Sequence, residues 1–281
     1  MDEFRSDAEY SGEFSNGDLI DIYNHIKGVD PYRPVLLNWS GNMGDVVGQE
    51  PHTFYRDDDS PSVFEATDIY SRTGSYPFTR RTYYKGSKLS EYVKVNITAQ
   101  RTAKAFNKGA HGWIQMWGFY DAWREPSVPE YRYMAYLNVI YGSMYSYFGK
   151  PFSTHSWDNI SEIQKETKEI AEIIFDKDSQ ILFEPRIDSD QKNFIYTAVK
   201  DKNEDIYLIV MRNNHPITNS FDQEQFVFNP FTISDNGFTT QPHITSKYES
   251  NRLVPTNATG LVQEYFSTWE TRVYVIHNDS Y

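Results

Sequence analysis

A fifteen-residue stretch, GWIQMWGFYDAWREP at residues 112–126, concentrates side chains that could bind a sugar. It holds three of the six tryptophans, two further aromatic residues, the amide of Gln115 and the carboxylate of Asp121. Flat aromatic rings can stack on sugar rings, and amides and carboxylates bind hydroxyl groups. The stretch is therefore either a buried strand or a carbohydrate platform beside a catalytic site.

The residues that follow this platform have two interpretations. Arg124, next to Trp123, could bind a carboxylate-bearing sugar, or it could pair with Glu125 at the surface. Ser127 and Glu130 have the S-x-x-E spacing of a capping box, which predicts the start of a helix. An acidic stretch earlier in the chain, RDDDSPS at residues 56–62, has clustered carboxylates that could coordinate calcium. It lacks the spacing of a known calcium loop, and we interpret it as a solvated loop.

Composition and motifs exclude several classes of function. The absence of cysteine excludes thiolate catalysis and cysteine-ligated zinc. A formal net charge of -12 argues against binding to a phosphate backbone. The chain has no H-E-x-x-H, G-x-S-x-G or Walker spacing, and no apolar run of roughly 18 to 20 residues. We expect no cofactor, no metal, no nucleic-acid partner and no membrane span.

The first 175 residues alternate between helical and strand patterns. A first helix carries Leu19, Ile20, Tyr23 and Ile26 on one face and ends at Gly28 and two prolines. Strands are predicted at residues 34–40, 111–118 and 143–149, a strand with a loop at residues 64–78, and helices at residues 89–106, 129–142 and 159–175. The last helix carries Ile160, Ile163, Thr167, Ile170 and Ile174 at helical spacing. This alternation predicts parallel strands with crossover helices.

Beyond Phe175 the pattern is β-rich and has no helical window. The runs NFIYTAVKDKNEDIYLIVMRNN, FVFNPFTI and TRVYVIHN are typical of antiparallel strands joined by polar turns. We therefore predict two domains, residues 1–175 and residues 176–281, the second being an antiparallel β-sandwich of about 100 residues.

The order of these pieces resembles the second half of a (β/α)8 glycoside hydrolase followed by its C-terminal β-sandwich. The matching phrases are IYNHIKGVDPYRPVLLN before the fifth strand, DIYSRTGSYPF at the sixth, GWIQMWG and WREPSVPEYRYMAYLNVIYGSMYSYF across the seventh and eighth, and STWETRVYVI in the sandwich. The resemblance covers nearly the whole chain. It implies an α/β fold, with a partial TIM barrel in residues 1–175.

The resemblance also implies where catalytic residues should lie. Active sites of such barrels lie at the carboxyl ends of the strands. In retaining hydrolases of this kind the acid/base is a Glu ending strand four, a place that Glu3 occupies, and the nucleophile is a Glu ending strand seven, a place that Gln115 occupies. A neutral amide cannot form a glycosyl ester. Asp121 is the nearest acid for the second role; otherwise the site binds sugar without cutting it, or the substrate supplies its own nucleophile.

Further residues at predicted strand ends are candidates for substrate binding. The aromatic side chains there would stack on pyranose faces, and the amides would bind hydroxyl groups. A strand-interior residue, Trp113, is instead expected in the core. The predicted substrate-binding set is Asn38, Trp39, Tyr76, Gln115, Trp117, Tyr120, Trp123 and Arg124.

If DIYNHIK is the fourth helix of such a barrel, strands one to three lie outside this sequence. Half a barrel exposes open strand edges and half a core. We therefore expect a second polypeptide, a homodimer contact or a further N-terminal part to cover that face.

Three hypotheses about function remain open at this point. The chain hydrolyses O-glycosyl bonds of a polysaccharide or glycoconjugate, it is a catalytically inactive carbohydrate-binding or extracellular structural protein on the same scaffold, or it is an assembly subunit that needs a partner chain. Five N-x-S/T sequons exceed the two or three expected by chance, which favours a secreted glycoprotein. The expected location is extracellular or periplasmic. The sequons lie at Asn38, Asn96, Asn159, Asn257 and Asn278.

Overall fold

The structure, a computed structural model, describes residues 4–5, 16–33, 35–39, 70–73, 93, 97, 100, 109–116, 125–148, 154–187, 191–213, 223–233 and 242–278. The chain divides into two compact units. Unit 1 comprises Met1–Pro126 and Tyr141–Phe152, and unit 2 comprises Ser127–Ile140 and Ser153–Tyr281.

Unit 1 is built on a parallel sheet whose strands follow chain order, as predicted. A helix, α1 (Asn16–Val29), stands between the first two strands along the chain. Every neighbouring pair of the sheet is parallel. The strands are β1 (Phe4–Arg5), β2 (Leu36–Trp39), β3 (Tyr70–Thr73), β4 (Ala110–Gln115) and β5 (Met144–Phe148), in the order β1-β2-β3-β4-β5.

Two elements of unit 1 show why the sequence patterns hold. The predicted apolar face of α1 buries Leu19 and Tyr23, and Lys27 donates to the carbonyl oxygen of Arg33 at 2.9 Å just beyond the end of the helix. Strand β4 buries both of its faces, with Ile114 fully buried, as is usual for strands inside parallel sheets.

Unit 2 opens with α2 (Val128–Ile140), and its first turn is a capping box. The Ser127 amide and hydroxyl both donate to Glu130 Oε2, at 2.8 Å and 2.9 Å. The Tyr131 amide then donates to the Ser127 carbonyl at 2.9 Å, which is the first bond of the helix. The S-x-x-E spacing therefore predicted this helix start correctly.

We expect Glu130→Ala to lower the free energy of unfolding by about 1 kcal/mol, since it removes the side-chain acceptor of the capping box. Denaturant unfolding measures the change. Glu172→Ala on the exposed face of the next helix is the matched control, with an expected loss of a few tenths of a kcal/mol. Equal losses in the two variants would contradict the capping role.

The second helix of this unit, α3 (Thr154–Ile174), packs on α2. Its predicted apolar face is confirmed at Ile160, Ile163, Thr167 and Ile170, which are buried; the last residue of that face, Ile174, is partly buried. Between the helices, the Arg132 guanidinium donates to both carboxylate oxygens of Glu166, at 3.0 Å and 2.8 Å. This fork-like pair fixes the two helices against each other with a geometry that a lysine would not reproduce.

The rest of unit 2 is antiparallel β-structure, as predicted. One sheet has six strands in the order β11-β10-β13-β8-β7-β6, and a smaller one pairs β12 with β9. Their facing side chains form an aromatic-rich core that includes Phe194, Phe226 and Phe266. The elements are β6 (Gln180–Arg186), β7 (Phe194–Lys200), β8 (Ile206–Arg212), β9 (Glu224–Phe228), α4 (Pro230–Ile233), β10 (His243–Ser246), β11 (Arg252–Leu253), β12 (Val262–Phe266) and β13 (Thr271–His277).

The compact units differ from the sequence-based domain boundary in one respect. Helices α2 and α3 group with the antiparallel strands in unit 2. The predicted boundary after residue 175 instead places both helices in the first domain; that boundary stays a prediction. No helix among the described residues is both long and apolar enough to cross a membrane.

Candidate functional site

The parallel sheet brings the carboxyl ends of β2 and β4 to one edge of unit 1. Trp39 ends β2 and lies opposite Thr73 of β3, and Thr73 lies opposite Gly112 of β4. Gln115 ends β4, three residues further along. The backbone of Asn38 and Trp39 is thus placed at this edge, while their side chains lie outside the described part of the structure.

Most of the other predicted site residues lie outside the described residues. Their roles stay predictions, because neither their side chains nor their separations are described. Glu3 precedes β1, which begins at Phe4. This group comprises Glu3, Tyr76, Trp117, Tyr120, Asp121, Trp123 and Arg124.

Gln115 is the predicted site residue whose side chain the structure places. It is 1% exposed and lies between Ile114 and Met116, which are also buried. Across the sheet its backbone lies opposite Phe148 of β5. An uncharged amide suits this position, because burial disfavours the ionised form of a carboxyl group. The amide therefore fits a buried strand end, and a group of this kind cannot act as a nucleophile toward a glycoside.

A polar pair that sequence reasoning missed joins the two last strands of unit 1. The ring nitrogen Nε2 of His111 lies 3.0 Å from Ser146 Oγ, and the His111 ring meets Trp113 edge-on at 6.1 Å. His111 is the second residue of β4, so it lies about 13 Å along the strand from Gln115 at 3.3 Å per residue. It belongs to the strand body and not to the edge that holds Gln115.

Unit 2 contains a dense ionic cluster at the junction of α3 with β10 and the turn after it. Lys247 Nζ lies 2.8 Å from Glu169 Oε1, and the Tyr248 hydroxyl donates to Glu169 Oε2 at 3.0 Å. Burial alone would raise the pKa of Glu169, but the hydrogen bonds from Lys247 and Tyr248 hold it below the ordinary value. Burial, together with the carboxylate of Glu169, raises the pKa of Tyr248 far above its usual value.

The same cluster continues onto the strands. Arg272 contacts Glu249 at 3.1 Å and Glu270 at 2.7 Å, and Arg252 contacts Glu249 and Glu264 at 2.8 Å each. Burial opposes ionisation of Glu249, but the hydrogen bond from Arg252 and the charge of Arg272 lower its pKa. Because each of these acids is paired with an arginine or, for Glu169, with Lys247, we interpret the cluster as structural.

We expect acidification from pH 7 to pH 3 to lower the thermal midpoint of unfolding, partly through this cluster. The folded-state pKa values of Glu169 and Glu249 lie below the ordinary value of a glutamate carboxyl group. Their contribution is therefore present above that value and is lost as the pH falls through the lower folded-state values. Glu169→Gln combined with Glu249→Gln should show a smaller acid-induced drop than the wild type. An unchanged drop, equal to that of a Glu172→Gln control, would contradict this assignment.

Among the residues that the structure describes, no group of three or more His, Asp or Glu side chains could hold a metal ion. The acidic stretch at residues 56–62 lies outside those residues.

Comparison with known proteins shows similarity at the level of fold. No protein-family model matches the chain, and no curated protein matches it. A GH27 β-L-arabinopyranosidase from Geobacillus stearothermophilus superposes on 94% of this chain and 54% of its own, with 9% identity and a TM-score of 0.53. A variant of that enzyme in complex with arabinose covers 93% and 54%, with 9% identity and a TM-score of 0.51.

A second solved structure gives the same result. A candidate α-galactosidase/melibiase from Bacteroides fragilis superposes on 94% of this chain and 52% of its own, with 9% identity and a TM-score of 0.53. The chain thus spans about half the length of these structures. At this level of identity the likeness concerns the fold, and on that ground the chain has a glycoside hydrolase-like fold.

Proposed function

We propose that the chain is part of a glycoside hydrolase-like protein that acts on O-glycosyl bonds of a polysaccharide or glycoconjugate. The observation that supports this most is the arrangement of the whole chain: a parallel sheet in chain order followed by antiparallel β-structure, superposing over 94% of its length on a GH27 β-L-arabinopyranosidase. In this proposal the parallel sheet is half of a (β/α)8 barrel, and the loops that follow the carboxyl ends of its strands face the substrate.

The proposed catalytic groups are Glu3, which occupies the acid/base place that the resemblance implies, and Asp121, the acid nearest to Gln115 in the sequence. Glu3 acts as the general acid, and Asp121 supplies the second carboxylate in place of the buried amide of Gln115. The distance between their carboxyl groups would decide the stereochemistry of hydrolysis: roughly 5 to 5.5 Å corresponds to retention of the anomeric configuration, and roughly 6.5 to 9.5 Å to inversion. The substrate would lie against Trp117, Tyr120 and Trp123.

A partner is also part of the proposal. Within the described residues, β1 pairs with β2 alone and β5 pairs with β4 alone. A second chain, a second copy or a further part of the polypeptide would complete the barrel at these edges. Light scattering with size-exclusion chromatography of the complete protein tests the first two options: a mass above that of one chain supports a second chain or copy, and a mass of one chain excludes both and leaves a further part of the polypeptide.

The decisive experiment screens the complete protein against aryl glycosides, including β-L-arabinopyranosides and α-galactosides, and against polysaccharides. Turnover that falls by at least about 100-fold in Glu3→Gln supports the proposal. Asp7→Asn is a useful comparison, because Asp7 is the first acid after β1 in the sequence. Turnover unchanged in Glu3→Gln would remove that residue from the mechanism.

A second candidate function, carbohydrate binding without hydrolysis, is favoured by the buried amide of Gln115. It predicts binding of a glycan that weakens in Trp117→Ala, with no turnover at any pH. Turnover of any glycoside in the screen would exclude it.

A further inference from the structure

The turn between β11 and β12 carries one of the five N-x-S/T sequons at the surface of unit 2. Asn257, Ala258 and Thr259 are all exposed. The backbone of the turn closes on itself, because the Asn257 amide donates to the Leu261 carbonyl at 2.8 Å and the Gly260 amide donates to the Asn257 carbonyl at 2.9 Å. Since these bonds join near neighbours in the sequence, the turn can form without the rest of the β-structure.

The Asn257 side chain caps this turn through its carbonyl oxygen. Oδ1 accepts from the Thr259 hydroxyl at 2.7 Å, from the Thr259 amide at 2.9 Å and from the Leu261 amide at 3.0 Å. Within the described part of the chain, no group accepts a hydrogen bond from Nδ2 of Asn257. Hydrogen bonds to Oδ1 stabilise the negative charge that develops there when Nδ2 loses a proton. The amide nitrogen therefore lies on an exposed residue and is easier to deprotonate.

The other sequons whose asparagine side chain is described do not have this arrangement. At Asn278, Nδ2 donates to Glu204 Oε2 at 2.9 Å, so a carboxylate holds the nitrogen that would react. Asn159 lies inside α3, where residues two positions apart do not face each other, so the Ser161 hydroxyl cannot reach the Asn159 amide. The side chains of the two remaining sequon asparagines lie outside the described part of the structure.

We infer that Asn257 is an acceptor site for N-linked glycosylation, with a lipid-linked oligosaccharyl diphosphate as the donor. Nδ2 of Asn257 forms a bond to C1 of the first sugar, while the bond between C1 and the diphosphate oxygen breaks. The lipid diphosphate leaves with the bonding electron pair, and Nδ2 gives up one proton to a base of the transferase. The site lies in an exposed turn of unit 2, so the inference goes beyond the proposed function and does not depend on hydrolysis at the parallel sheet.

The test directs the complete protein into the secretory pathway of a eukaryotic host with a cleavable leader. Peptides of the product are treated with peptide N-glycosidase, which turns each glycosylated asparagine into aspartate, and mass spectrometry measures the occupancy of each sequon. We expect a glycan at Asn257, in a larger fraction of molecules than at Asn159 or Asn278. An unmodified Asn257, or an occupancy at Asn159 or Asn278 that equals or exceeds that at Asn257, would overturn the inference.

Variants of Thr259 test the hydroxyl of the turn without changing the acceptor. Thr259→Val keeps the size of the side chain and the Asn257 amide but removes the hydroxyl that donates to Oδ1, so the glycan at Asn257 should be lost. Thr259→Ser keeps a hydroxyl and should keep the glycan. A glycan at Asn257 in Thr259→Val would overturn the role given to the hydroxyl.

Variants of the asparagines themselves locate the modification. Asn257→Gln should abolish it at this turn, and Asn278→Gln is the matched control, which should leave the occupancy of Asn257 unchanged. A loss of the Asn257 glycan in Asn278→Gln would contradict an acceptor site that is set by the turn alone. Both asparagines lie outside the buried core, so thermal midpoints should show that the variants fold. Cell-associated protein is digested in parallel, so that a variant that is not secreted is also measured.

Discussion

Gln115→Glu is expected to lower the free energy of unfolding at pH 7 by about 3 kcal/mol, the cost of keeping a carboxyl group at a site that disfavours its charge. The side chain is 1% exposed at the end of β4. Since glutamate has nearly the shape of glutamine, packing changes little and the effect is electrostatic. Denaturant unfolding at pH 7 measures the loss.

The destabilisation of Gln115→Glu should grow as the pH rises. Burial raises the pKa of the introduced carboxyl group above its unfolded value of about 4.3. The variant should therefore approach wild-type stability below that value and lose stability as the pH rises through the raised pKa. Gln164→Glu on the exposed face of α3 is the matched control and should be near neutral.

The stability of Gln115→Glu also shows whether a carboxyl group at this position could act as a nucleophile. A carboxyl group that stays protonated at neutral pH is a poor nucleophile, so we expect no gain of glycosidase activity in Gln115→Glu. If the variant is instead as stable as the wild type at pH 7, the side chain faces water at the sheet edge. The place would then be open to substrate, and the interpretation of Gln115 as a buried strand end would be wrong.

Local patterns predicted the helices well where burial follows the helical period. The face of α3 was predicted from Ile160 onward, and it is buried from Ile160 to Ile170. The helix begins at Thr154, five residues before the predicted start. Trp157 and Asp158 in that first part are exposed, so no apolar periodicity marks it. A pattern of hydrophobic spacing detects only those turns of a helix that have a buried side.

Long-range contacts account for what the sequence could not predict. The S-x-x-E capping box lies within four residues and was predicted, whereas the hydrogen bond between His111 and Ser146 joins side chains 35 residues apart. A cleft of about 310 Å³ beside Arg186 in unit 2 likewise depends on the pairing of β6 with β7 and on the placement of β9. Side-chain partners brought together by strand order are not recorded in any local window of sequence.

Arg212 is the clearest case of such a long-range feature in the β-structure. It ends the apolar run IYLIVMR, a position at which an arginine is usually solvated. Here its side chain is 2% exposed. The guanidinium donates through Nη1 to the Phe266 carbonyl at 2.7 Å, 54 residues away in sequence, and Nε lies 3.5 Å from Glu224 Oε2. The arginine thus connects β8 to both strands of the smaller sheet.

Arg212→Met is expected to lower the free energy of unfolding by about 3 kcal/mol, because it leaves the Phe266 carbonyl without this donor and Glu224 without its cation. Arg252→Met is the matched control. Its ion pairs with Glu249 and Glu264 are more exposed, so its loss should stay below about 1 kcal/mol. Similar losses in the two variants would show that burial of Arg212 adds nothing to the stability of the β-structure.

A double-mutant cycle with Glu224→Gln separates the two contributions of Arg212. If the ion pair carries most of the effect, the losses of the single variants will be strongly non-additive. Glu224 also accepts from the Asn193 amide at 2.8 Å and 2.9 Å and is partly exposed, which lessens the cost of leaving it without Arg212. We therefore expect near-additive losses, with the hydrogen bond to the Phe266 carbonyl as the main stabilising contact. Strong coupling would instead assign the stability to the ion pair between β8 and β9.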